Sequence, residues 1–199
     1  MPANFRPLFA AAALVAALAA CDDPYSREAQ NAVVADTTVL YSINDAPIGA
    51  PTAYFLFGAV NRTTDVTANS SFNFDVALSI PDANQVQLIT PRRLVGVIPN
   101  LVQPPHRVGL QTVPEAFDQL LAAPNSGFAY DSLLTVTPGQ AVVIQSANPN
   151  ACPLAIYGMN FYAKFVVDSI RMDPARAFVR VTTDPNCDFR SFAPGVPKE

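Results

Sequence analysis

Phe72-Asn73-Phe74-Asp75-Val76-Ala77-Leu78-Ser79-Ile80 is the stretch of this 199-residue chain that decides its fold class. Bulky apolar side chains stand at every second position, with Asn, Asp, Ala and Ser between them. That period of two belongs to a β-strand, because successive side chains of a strand point to opposite faces. The alternation predicts one face in a core and one towards water, with Asp75 on the watery side. Pro81-Asp82 ends the run as a turn would.

Outward from this strand, prolines divide the chain. There are 19 of them, and most segments between them are too short for long helices. Weaker strand patterns occupy 37–43, 53–60, 85–90, 94–98, 107–112, 133–137, 140–146, 160–171 and 177–183. Many short strands separated by turn signals predict an all-β, antiparallel β-sandwich, with a β-barrel as the alternative closure. One helix is expected at 113–123, where Thr112 can cap, Pro114 and Glu115 suit a first turn, and Phe117, Leu120 and Leu121 share a face. For the last hairpin, a turn at Asp173, Pro174 and Ala175 predicts Ile170 opposite Phe178, Asp168 opposite Arg180, Val166 opposite Thr182 and Lys164 opposite Asp184.

The amino-terminal segment follows different rules. Arg6 precedes an uncharged run from Leu8 to Ala20, too short to span a bilayer as a helix, which needs about 20 residues, but suited to the apolar region of a secretory signal. Leu18, Ala19, Ala20 and Cys21 close that run, and Asp22 and Asp23 follow. This resembles the lipobox of bacterial lipoproteins. The resemblance covers residues 1–21 alone and implies cleavage before Cys21, a diacylglyceryl group on its sulfur and usually a further acyl chain such as palmitate. Several acyl chains on one residue anchor a protein firmly, where a single chain holds it only marginally. Asp22 resembles an inner-membrane retention signal, a rule that varies between lineages, so inner and outer membranes both stay open. The implied organisation is a cleaved signal peptide at 1–20, a lipidated cysteine and flexible tether at 21–36, and a single β-rich domain at 37–199.

With Cys21 lipidated, Cys152 and Cys187 remain, and an even pair in an oxidising compartment reads as one structural bridge. Closing that loop stabilises a fold by about 3 to 4 kcal/mol on the chain-entropy account.

The charge balance narrows the function. Twelve basic against 16 acidic residues give a net charge of −4, which excludes nucleic acid as a natural partner. One histidine and three cysteines do not furnish a multi-ligand zinc or haem site, and no cofactor or metal is implied. His106 lies in a proline-rich connection, without a nucleophile motif beside it, and reads as a loop histidine rather than a catalytic one. Asp65 and Asn69 lack calcium-loop spacing and read as solvated loop groups. Arg92 and Arg93 read as a solvated turn, with lipid headgroups or an acidic partner as the sharper alternative. Tyr54, Phe55, Leu56 and Phe57, with Phe161, Tyr162 and Phe165, read as core before they read as a ligand pocket.

These features converge on a lipid-anchored extracytoplasmic lipoprotein that acts as a binding or structural module. Its partners would be the membrane through the lipid and an envelope protein or glycan. A carrier enclosing an apolar ligand in a β-barrel, and a hydrolase with an unrecognised site, are the alternatives. A filled sandwich core would exclude the carrier, and a hydrolase would need a cleft holding His106 or two Asp side chains.

Overall fold

The computed structural model describes residues 28–57, 63–66, 74–95, 106–147 and 160–198. Its strands are β1 (Val34–Tyr41), β2 (Ala53–Tyr54), β3 (Thr63–Thr64), β4 (Val76–Asp82), β5 (Gln85–Ile89), β6 (Arg107–Thr112), β7 (Ala129–Tyr130), β8 (Leu133–Val136), β9 (Ala141–Ala147), β10 (Asn160–Met172) and β11 (Ala175–Asp184). A single helical turn, α1 (Pro91–Leu94), has Pro91 in its first turn and takes Leu94, the first residue of the strand expected at 94–98. Residues 96–98 of that expected strand lie outside the described residues.

The strands form two antiparallel sheets. The first runs β1-β11-β10-β9-β6-β7 and the second β3-β2-β4-β5-β8. Neither closes on itself, so the architecture is a sandwich and the barrel alternative is corrected. Val76, Leu78, Val86 and Leu88 of the second sheet meet Val108, Ile144, Phe165 and Val179 of the first in one buried cluster. At Tyr41 the chain leaves the first sheet and Ile43 bonds Leu78 in the second, so the crossing itself is hydrogen-bonded.

The deciding strand departs from its expected half-wet face. Val76, Ala77, Leu78, Ser79 and Ile80 are all buried. Ala77 packs with Val66, Phe74, Ile89 and Leu94 in a second cluster. Small side chains on that face let distant segments settle over it, a cover that local alternation does not reveal.

The segment 113–123 is not helical. It makes a turn at Ala116, whose carbonyl accepts from Gln119 and Leu120, and then runs as irregular chain, with Phe192 bonded to Leu121 and Ala123 bonded to Arg190. Between Pro114 and Pro124 there is little room to offset the cost of helix nucleation, and the carbonyls find partners elsewhere. The expected apolar face is partly kept: Phe117 and Leu120 are buried against the outer face of the first sheet, whereas Leu121 is exposed.

The last hairpin is tighter than expected. Met172 pairs with Ala175 across a two-residue turn, and the register places Lys164 opposite Thr182, Val166 opposite Arg180 and Tyr162 opposite Asp184. The pairs expected at Ile170, Asp168, Val166 and Lys164 are therefore corrected. A bulge between Val167 and Ser169 leaves Asp168 as the extra residue. Asp168 still reaches Arg180, 2.9 Å away.

Ala29–Pro197 form one compact unit. Gln30 and Asn31 donate to Asn186, and Val33 bridges Gly195, so the span expected as tether, 21–36, overlaps the folded unit. Its polar look suits β1, which is an edge strand. The pairings of Val34 with Thr183, Tyr162 with Asp184, Asn160 with Ala147 and Arg107 with Ala147 place the chain's entry and the start of β6 at the same end of the sandwich.

Candidate functional site

Three side chains that the sequence leaves unconnected meet at that end. Asp75, just before β4, accepts from the backbone N–H of Leu56 at 2.7 Å. Its Oδ1 faces Nε2 of His106 at 3.1 Å and accepts from the hydroxyl of Ser146. Asp75, His106 and Ser146 are all buried. The solvated face expected for Asp75 is thus corrected to a buried one, and His106, a loop residue just before β6, is buried with it in a cluster that joins the second sheet (Asp75) to the first (His106, Ser146). Burying a carboxylate is costly unless hydrogen bonds replace its water, and three donors do so here.

The residue types are those of a nucleophilic triad, but their connectivity differs. In a triad the imidazole stands between serine and carboxylate and draws the hydroxyl proton. Here the serine hydroxyl and the imidazole both point at one carboxylate oxygen. Nε2 faces that oxygen, while Nδ1 is buried with no hydrogen-bond partner among the described residues. The arrangement works as a clamp between sheets.

A second polar site lies on the outer face of the first sheet. Lys164 is buried, and its ammonium donates to the carbonyls of Phe117 at 2.8 Å and Leu120 at 3.0 Å. It also sits 4.6 Å from the centre of the Phe117 ring, whose environment includes the Arg180 guanidinium at 4.7 Å. Burial holds the Lys164 pKa below its ordinary value, with Asp118 opposing that shift. Arg180 bonds Asp168 and Asp118, and those bonds raise its pKa. Beside them opens a cavity of about 350 Å³, walled by Phe117, Leu121, Phe192, Pro194, Thr37 and Thr182. Its size is within the range of small-molecule sites.

The remaining expected site residues divide as follows. Leu18, Ala19, Ala20, Cys21, Asn69 and Cys152 lie outside the described residues. Cys187 is described and is not a free thiol. Asp65 is buried and accepts from the backbone of Gly49, which corrects its reading as a solvated group. Arg92 stands 3.6 Å from Asp131, so the turn it occupies is more than solvated. Tyr54, Phe161 and Phe165 are core, and Phe57 is 46% exposed with its ring against Phe161. Among the described residues, no group of three or more His, Cys, Asp or Glu side chains is placed to hold a metal, and no helix is long and apolar enough to cross a membrane.

No protein-family model, curated protein or solved structure matches this chain.

Proposed function

We propose that this chain is a bacterial lipoprotein: an extracytoplasmic β-sandwich, anchored by lipid at Cys21, that acts by binding or by structural association in the cell envelope. The observation that carries the reading is the run Leu18-Ala19-Ala20-Cys21 at the end of an uncharged segment, followed within eight residues by a folded unit that begins at Ala29. A lipid on Cys21 would hold that unit close to a bilayer. The bridge between Cys152 and Cys187 belongs to the same reading, and the engaged state of Cys187 supports it. The cavity beside Lys164 offers a place for a small ligand, which favours binding over a purely structural role.

The test is detergent-phase partitioning of the protein produced in a bacterium with a lipoprotein-processing pathway. The native chain should enter the detergent phase, and Cys21→Ser should leave it in the aqueous phase or unprocessed. Equal partitioning of the two would overturn the anchor.

A further inference from the structure

We propose that the end of the sandwich where the chain enters docks on an anionic membrane surface through Arg92, Arg93 and Arg107. The location of the membrane rests on the anchor reading above; the charge and geometry of the end do not.

Arg107 opens β6, and Arg92 and Arg93 lie on α1. Arg92 and Arg107 both turn to one carboxylate, Asp131, at 3.6 and 3.2 Å, while Arg93 is exposed. Two guanidinium groups on one carboxylate, with the exposed Arg93 next to Arg92 on α1, leave a local excess of positive charge in a chain whose net charge is −4. Arg190, close to Tyr162 at the start of β10, adds a further cation at this end. Asp75 and Asp184 at this end are fully buried, and Asp188 accepts from Asn160, a neutral amide, so it counts with Asp131 against the four arginines. The opposite end carries Asp45, Asp82 and Asp173 against Arg171 and Arg176. The sandwich is therefore electrically polarised along its length.

Exposed apolar groups accompany the arginines. Tyr130 lies under the Arg107 guanidinium, 4.7 Å from it, and Tyr130, Leu133, Val95 and Phe57 are each partly exposed. Arginine beside aromatic and aliphatic tips suits the headgroup region of a bilayer. Reach also fits. The eight residues from Cys21 to Ala29 span at most about 27 Å. Four strand spacings separate β1 from β6, about 19 Å. Tethering makes the contact intramolecular, so weak attraction suffices. Each arginine near an anionic surface should strengthen the docked state about fivefold.

The chain from residue 21 onward can be coupled through Cys21 to a maleimide-headgroup lipid in nanodiscs holding a trace of nitroxide-headgroup lipid. Nuclear magnetic resonance then reads which amides the nitroxide broadens. In discs of phosphatidylcholine with 30% phosphatidylglycerol, the amides of Arg93, Val95, Arg107 and Tyr130 should broaden and those of Asn84 and Asp173 should not. Replacing the phosphatidylglycerol with phosphatidylcholine should remove most of that broadening. Arg93→Gln should weaken it about fivefold and the triple Arg92→Gln/Arg93→Gln/Arg107→Gln about a hundredfold, with Arg171→Gln/Arg176→Gln as a neutral control. Broadening that is the same in both lipids, equal at both ends, or equally lost in the control would overturn the docking. The coupling is chemical, so docking without lipid on the native Cys21 would sink the anchor and uphold the docking. A lipidated native chain without the arginine-end broadening would sink the docking alone.

Discussion

Asp75 and Lys164 are both charged, both buried and both set in the sandwich, yet they are compensated in opposite ways. Asp75 stands between the sheets and is met by side chains from the facing sheet, His106 and Ser146, besides one backbone N–H. Lys164 stands outside the sandwich and is met by two backbone carbonyls and aromatic rings of irregular chain laid over the sheet. The first arrangement ties two sheets that must already be folded. The second fastens a cover to a sheet that could stand without it. Loss of Asp75 should therefore be felt by the whole fold, and loss of Lys164 by one segment.

The largest test of that contrast is Asp75→Ala. It strands His106 and Ser146 without their acceptor and should cost about 3 to 5 kcal/mol in urea unfolding, with no region spared in amide exchange. A cycle with His106→Ala should show coupling of about 0.5 to 3 kcal/mol, and additivity would break the clamp. Lys164→Met keeps the stem and removes the donors. It should cost about 1 to 3 kcal/mol, with faster exchange confined to the neighbourhood of Leu120 and Phe192. A global loss would erase the distinction.

Asp184 sharpens the comparison as a buried carboxylate whose donors come from its own neighbourhood in the chain, Asn186 and Ser191, and not from a facing sheet. Burial raises its pKa, although Asn186 bonds it and pulls the other way. A raised pKa means that the folded state holds the proton more tightly. Its stabilising contribution is therefore full below the unfolded value of about 3.8 and falls as pH rises through the folded value. Asp184→Asn should flatten the decline in stability across that window, and an unchanged pH profile would refute the assignment. The smallest effect is expected at Arg180, whose pairs with Asp168 and Asp118 are exposed. Arg180→Ala should cost about 0.2 to 1 kcal/mol, measurable as a small shift of the denaturation midpoint.

The same contrast explains what the sequence made legible. β6, β9, β10 and β11 fall within one or two residues of their expected spans, because alternation and turn residues are local signals. Asp75 was misplaced because its burial depends on Phe74, Leu56 and a histidine some thirty residues on, none of which local periodicity can bring together. The hairpin register slipped because the turn takes two residues and the bulge absorbs Asp168, yet the contact of Asp168 with Arg180 survived. Lys164 looked like a partner for Asp184, but Asp184 turns to Asn186 and Lys164 to the cover. The cavity had no local signal, being assembled from β1, β10, β11 and two irregular segments. β3 and β7 carry no local signal because two-residue strands have no period, and β2 occupies only the first two residues of the strand expected at 53–60.

The anchor proposed at Cys21 is the central claim of this reading, and intact mass spectrometry of the mature protein from a bacterial membrane tests it most directly. The account predicts a chain that begins at Cys21 and carries a diacylglyceryl group, with its thiol blocked. A mature chain that begins elsewhere, or that begins at Cys21 with a free thiol and no added lipid mass, would contradict it.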